Sequence, residues 1–280
     1  MTVSAAQVRE LRERTGLGMM ECKKALVEAR GDLNAAAELL RKKAGAKAEQ
    51  RAGRTAAEGA IAIHHEADRG VAGIVEVNSE TDFVAKNEDF LSFVAAVARI
   101  VAQDRPASIE DLMKLPVRAQ SAETVSQAQE ALIAKIGENI GIRRFAVCAS
   151  DDRRIDSYLH GRRIGVIVEL EGGSQSVAHD VAMHIAASRP KFLSKDQVPA
   201  EVIAKEREIF TAQAADSGKP ADIVAKMVEG RIAKFLNEIT LLGQPFVKDP
   251  DVTVDKILRS ANARVRHFIR YEVGEGIAKT

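Results

Sequence analysis

The run Gly73-Ile74-Val75-Glu76-Val77 returns almost unchanged as Gly165-Val166-Ile167-Val168-Glu169, and this echo constrains the fold more than any other feature of the chain. Each copy has the near-continuous apolar character of a buried strand, and each is followed by residues recurring at helical spacing: Phe90, Val94, Val97 and Val101 after the first, Val177, Val181, Ile185 and Ala186 after the second. A hairpin plus helix used twice predicts an α+β protein with a two-lobed core. In the first copy Ile61 and Ile63 supply one arm, Asp68-Arg69-Gly70 the turn, and Val71 to Val77 the other. The second is expected to begin at Arg143-Arg144-Phe145-Ala146-Val147 and to run through Tyr158 to Leu170. From the echoed glycine to the core of the following helix the first copy is about four residues longer, and the surplus falls on Thr81 to Asn87. Packing accounts for what the copies share, so this unshared loop is the stronger candidate for function. Asn87 is a good N-cap, with Glu88 and Asp89 suited to the helix dipole behind it.

Ahead of the core, Ser4-Ala5-Ala6-Gln7 is a capping-box pattern, and three short helices are expected up to about residue 45. Lys42 to Arg54, rich in Ala, Lys and Arg, reads as a linker or exposed extension. Further helices are expected at 109–114 and 125–136. Two long helical patterns flank Asp216-Ser217-Gly218-Lys219-Pro220, an αα-hairpin whose arms would each span roughly 30 Å. Its second arm carries a continuous apolar face, Ile223 through Ile239, and the first a thinner one. A last helix and the strand-like Phe268 to Val273 should return to the second lobe, which makes the helical hairpin an insertion. The expected division is 1–54 for the N-terminal module and linker, 55–140 for the first lobe, 141–197 with 240–280 for the second, and 198–239 for the inserted hairpin.

At 280 residues the chain exceeds one typical domain of about 100–200 residues. Its 41 basic and 40 acidic side chains give no global pull toward nucleic acid or membrane. Charge is local instead: residues 1–54 are net basic, whereas 75–90 hold Glu76, Glu80, Asp82, Glu88 and Asp89 against Lys86 alone. Cys22 and Cys148 have no paired spacing, which fits a reducing cytoplasm, and no run is apolar and long enough to span a membrane. The sequence lacks a phosphate-cradling Gly-Lys-Ser/Thr loop, HExxH, GxSxG and a cysteine pair with ligand spacing, so no enzyme chemistry, metal or cofactor is expected. His179 and His184, five apart on a helix, are poorly spaced for chelation and read as structural.

Asp82-Phe83 has two readings: a satisfied loop carboxylate with an aromatic plug for the hairpin's own core, or an exposed aromatic wedge beside a charge. Its position ahead of a capped helix favours the wedge. Met19 and Met20 are core or an adaptable contact patch, and two successive helical residues cannot both face a three-helix core.

Thr81-Asp82-Phe83-Val84-Ala85-Lys86-Asn87, Thr15-Gly16 with Met19-Met20-x-Cys22-Lys23-Lys24-Ala25-Leu26, and Lys135-Ile136-Gly137-Glu138-Asn139-Ile140 together resemble bacterial translation elongation factor Ts. Ser157-Tyr158-x-His160, Gly243-Gln244-Pro245-Phe246 and Phe268-Ile269-Arg270-Tyr271-Glu272-Val273-Gly274-Glu275-Gly276-Ile277 follow in the family's order. The resemblance implies a guanine-nucleotide exchange factor for the GTPase elongation factor Tu. Thr81, Asp82, Phe83 and Val84 would then disturb the partner's Mg²⁺ site. The helical module, ubiquitin-associated-like by resemblance, would grip the partner through Met19, Met20 and Lys23, and His160 would touch a second partner domain. The hairpin would be the family's coiled-coil insertion, implicated in self-association in some members. Relatives often continue past the Glu-Gly-Ile element into a further helix, whereas this sequence ends at Thr280. The alternative from another class is an adaptor that holds a protein or peptide without acting on any nucleotide.

Overall fold

A computed structural model describes residues 3–215 and 220–278, and over these the chain is a mixed α+β protein whose strands pair antiparallel. The expected turn at Asp216 to Lys219 lies outside the described residues. Ser4 and Gln7 form the capping box at the start of α1 (Ala5–Thr15). With α2 (Met19–Glu28) and α3 (Leu33–Arg51), capped by Asp32, it closes around Leu11, Cys22, Leu26 and Ala36. α3 continues to Arg51, through the stretch expected to be a linker. Lacking large apolar residues does not break a helix: Ala, Lys, Glu and Gln are strong helix formers, and the small Ala44 and Ala48 are packed inward.

β1 (Glu58–Glu66) and β2 (Val71–Ser79) form the first hairpin, turned by Gly70 in the left-handed region, and α4 (Glu88–Asp104) lies across it. α5 (Ile109–Lys114) and α6 (Val125–Ile136) lead into β3 (Ile140–Ala149). β3 pairs with β2, giving the order β1-β2-β3. Arg143 to Val147, expected to open the second copy, therefore completes the first sheet. β2 is buried along its whole length, a central-strand pattern that demands a neighbour on each edge. β4 (Arg154–His160), β5 (Ile164–Gly172) and α7 (Gln175–Ser188) follow, then α8 (Ala200–Ala215) and α9 (Ala221–Ile239). The short pair β6 (Pro245–Phe246) and β7 (Asp249–Thr253), α10 (Val254–Ser260) and β8 (Ala263–Glu272) complete the chain, and β8 returns to pair with β5.

The period of two on β2 assigns its faces. Val75 and Val77 pack with Phe90, Val94 and Val97 under α4, while Ala72 and Ile74 meet Ile155, Ile167 and Val273 of the second sheet. The echoed glycines admit different neighbours. A side chain on Gly73 would sit 2.7 Å from the Ala102 amide of α4, and one on Gly165 would sit 2.6 Å from Ile61 across the sheet interface.

Glu76 follows Ala72 and Ile74 onto that interface and is 0% exposed. Its carboxylate accepts from Arg143 (3.0 Å), Arg144 (2.6 Å), the Gly274 amide (2.8 Å) and Asn78 (3.2 Å). Burial alone would raise its pKa; the Gly274 bond and the guanidiniums of Arg144 and Arg143 outweigh it and hold the carboxyl below its ordinary 4.5. The network joins β2 and β3 to the segment after β8, across both sheets.

α8 and α9 pack on each other through Ala214, Val228 and Ile232, and the hairpin's base is held where Lys191 and Phe192 donate to the Ile239 carbonyl (2.8 and 3.2 Å). His184 is fully buried. Its Nδ1 accepts from the Val247 amide (3.2 Å), which leaves Nε2 to donate to Gln244 Oε1 (3.0 Å). Gln244 in turn donates to the Ser188 and Glu238 carbonyls (3.1 and 2.7 Å), so this pair ties α7 to the hairpin's exit. Burial lowers the imidazole's pKa, and the ring acts structurally.

Glu76→Gln should lower the unfolding free energy by about 3–5 kcal/mol, because two arginines lose a buried counter-charge. The folded-state pKa of Glu76 is depressed, so its stabilisation is complete above the ordinary value of 4.5 and is lost as pH falls through the lower, folded-state value. Denaturant midpoints measured down through that range should therefore fall more steeply for the parent than for Glu76→Gln.

Candidate partner-binding site

The loop at Thr81 leaves β2 under tight control. Ser79 Oγ donates to the Thr81 carbonyl (3.0 Å), and the Thr81 amide and hydroxyl both donate to the Glu138 carboxylate, at 3.0 and 2.7 Å. The next residue pair reciprocates: Glu80 Oε1 accepts from the Asn139 amide (2.6 Å) and faces Arg54 Nη1 at 3.4 Å. Asn139 also donates to the Arg54 carbonyl (2.8 Å), so the end of the helical module is tied to the same stem.

Beyond Thr81 the chain makes one tight turn at Val84–Lys86 and then enters α4 at Asn87, whose side chain accepts from the amides of Asp89 (2.9 Å) and Phe90 (3.3 Å). Val84 is 7% exposed and belongs to the core under α4. Phe83, one residue earlier, is 80% exposed. Of the two readings for this aromatic, the core plug is excluded and the exposed ring remains. Asp82 is also exposed, and Lys86 pairs with it at 2.7 Å, holding its carboxyl below the ordinary 3.8. The tip therefore presents a large apolar ring beside a paired charge, on backbone fixed at both ends.

On α2 the buried positions are Cys22, Ala25 and Leu26. Met19 and Met20 are 58% and 63% exposed, so both point outward where a mixture of core and surface was expected, and Lys23 is exposed beside them. The first turn of α2 turns Cys22 inward, and Leu17 just ahead of it is also buried, so the core is met on that side while Met19 and Met20 face solvent. His160 belongs to the second sheet, at the end of β4. Its Nδ1 lies 3.3 Å from the Tyr158 hydroxyl, and both rings line an open groove of about 470 Å³ with Ile164, Met183 and Val247. The geometry thus gathers Thr81 to Val84 into one loop and leaves Met19, Met20 and Lys23 on the helical module and His160 on the second sheet.

Glu138, Asn139, Glu80 and Lys86 were not singled out by sequence reasoning as supports of the loop. The available signal was Gly137, a left-handed C-cap that ends α6 and throws the next two polar side chains off the helix. Among the described residues no group of three or more His, Cys, Asp or Glu is arranged to hold a metal ion, and no helix is long and apolar enough to cross a membrane. Phe83→Ala is expected to change folding stability by less than about 0.5 kcal/mol, as for an exposed residue. Val84→Ala should cost roughly 1.5–3 kcal/mol through lost burial. Equilibrium unfolding of the two variants provides the comparison.

The family model described as Elongation factor TS matches residues 80–275. Elongation factor Ts of Methylococcus capsulatus (strain ATCC 33009 / NCIMB 11132 / Bath) is 59% identical over 279 residues, covering 100% of this chain and 94% of that protein. Elongation factor Ts of Alkalilimnicola ehrlichii is 56% identical over 279 residues with the same coverage, and that of Legionella pneumophila (strain Lens) is 54% identical over 278 residues, covering 99% and 94%.

Proposed function

The chain belongs to the elongation factor Ts family, and from that premise we propose that it is a guanine-nucleotide exchange factor: it docks on elongation factor Tu carrying GDP and speeds GDP release during translation elongation. No bond is made or broken. Exchange follows from linkage, since a factor that binds the nucleotide-free GTPase tightly weakens nucleotide binding by the same factor that nucleotide weakens its own. GTP can then expel the factor.

The observation that carries this reading is the outward Phe83 on a loop held at both ends. An aromatic kept in water in the free protein gains most of its burial only on docking, which is how a binding hot spot works. In this proposal Phe83 wedges beside the partner's Mg²⁺-binding elements, Asp82 with its Lys86 partner alters the charge there, Thr81 shapes the stem and Val84 anchors it. The ubiquitin-associated-like module at 1–54 grips the nucleotide-binding domain through Met19, Met20 and Lys23. The groove beside His160 meets another domain of the partner. The expected lobes at 55–140 and 141–197 with 240–280 shift at one boundary in this proposal: β3 (Ile140–Ala149), which pairs with β2, goes with the first lobe, and the coiled-coil hairpin at 198–239 is the self-association element.

Fluorescent GDP bound to elongation factor Tu should leave much faster with catalytic amounts of this protein, and unchanged release would sink the exchange function. Phe83→Ala should slow the maximal release rate roughly 30-fold, the equivalent of about 2 kcal/mol for a hot-spot aromatic, while shifting the half-saturating concentration less.

A further inference from the structure

We propose that Glu138 is a positioning residue for exchange: its carboxylate holds the Asp82-Phe83 tip in the orientation that engages the partner. The mechanistic part of this inference rests on the exchange reading above; the ordering of the loop does not.

A loop tip with an exposed aromatic has every reason to wander. Fixing one residue's backbone costs about 1–2 kcal/mol, and a mobile tip would meet that cost on engagement, where it subtracts from the work the ring can do on its partner. Something must order the tip in advance, and neither tip side chain does so by packing: Phe83 is exposed, and the Asp82 carboxylate meets the exposed Lys86 and the amides of its own tip, Asp82 and Phe83, which shapes the turn without tying it to the core.

The order comes from the residue after the α6 C-cap. Gly137, at φ 92, ends the helix and sets Glu138 facing the loop, while α6 itself is sunk in the core through Val125, Leu132 and Ile133. Both carboxylate oxygens go to Thr81: Oε2 to its amide at 3.0 Å and Oε1 to its hydroxyl at 2.7 Å. Because that hydroxyl must donate to Glu138, its lone pairs face the other way, and there the Val84 amide donates to it at 3.4 Å. One carboxylate thus fixes the residue before Asp82 directly and the residue after Phe83 through a single oxygen. Among the described residues Glu138 has no cationic side chain within ion-pair distance, so its charge serves Thr81 alone. The neighbouring Glu80-Asn139 bond runs in the opposite sense and clamps the stem, leaving Glu138 to set the tip.

The chain contains no tryptophan, so Phe83→Trp in the full-length protein places a lone indole at the tip. Time-resolved anisotropy should show that indole moving with the whole protein, and adding Glu138→Ala should introduce a fast depolarising component. Glu138→Gln, which keeps one acceptor oxygen, should restore part of the order. With Phe83 retained, Glu138→Ala should lower the maximal GDP release rate roughly tenfold, as for losing a hydrogen bond to a charged group, with a much smaller change in half-saturating concentration. Thr81→Val should reproduce that defect, and the double variant should be no slower than either single one. An indole as immobile in Glu138→Ala as in its parent would overturn the proposal, as would additive defects of Glu138→Ala and Thr81→Val. If the parent itself left GDP release unchanged, the exchange reading would fail, and the anisotropy would still decide whether Glu138 orders the loop. Should Glu138→Ala not fold, Thr81→Val removes the same hydroxyl link and takes its place in both measurements, with the same outcomes deciding.

Discussion

The buried carboxylate of Glu76 is the contact on which the arrangement of this protein turns. It stands on the inner face of β2, where the two sheets meet, and it gathers arginines from β3 and a backbone amide from the segment after β8. An unpaired carboxylate there would be untenable, since burying a lone charge costs far more than any hydrophobic contact returns. The chain segments that satisfy it are far apart in sequence, so satisfying it requires the first sheet, the second sheet and the C-terminal strand to be assembled together. Arg144 reinforces the joint from its other side, stacked over the Tyr271 ring at 4.2 Å and bonded to the Glu272 carbonyl at 3.2 Å.

From that fixed frame β2 runs a few residues further and delivers the Thr81 loop. Neighbouring residues there have opposite jobs. Val84 is committed to the core and Phe83 is excluded from it, and the tight turn that begins at Val84 is held by Thr81 at one end and by the Asn87 cap at the other. This makes the tip an extension of a rigid body. Under the proposed exchange function, rigidity matters as much as affinity: a yielding tip would bend itself instead of the GTPase.

Much of this was legible in the sequence because the decisive signals were local. The period of two along Val71 to Val77, the capping residues Ser4 and Asn87 and the surplus length at Thr81 to Asn87 need no knowledge of distant residues. What failed was non-local. Arg143 to Val147 looks like the start of a new unit, and only the edge left open on β2 sends it back to the first sheet. Lys42 to Arg51 looks like a linker because its contacts use alanine, which leaves no apolar stripe to read. The partners of Glu76, Glu138 and Gln244 lie from 56 to 198 residues away in several cases, beyond the reach of any spacing rule. Composition likewise could not say that Met19 and Met20 both face solvent, since that depends on which side of α2 its neighbours cover.

The central claim is that the rigid tip acts on the metal that helps hold GDP in the partner. It is tested most directly by measuring GDP release from elongation factor Tu with the parent and with Phe83→Ala, in saturating Mg²⁺ and after chelation by EDTA. The account predicts a large gap between the two proteins in Mg²⁺ that closes when the metal is removed, because the wedge then has nothing left to dislodge. A gap of the same size in EDTA would contradict it.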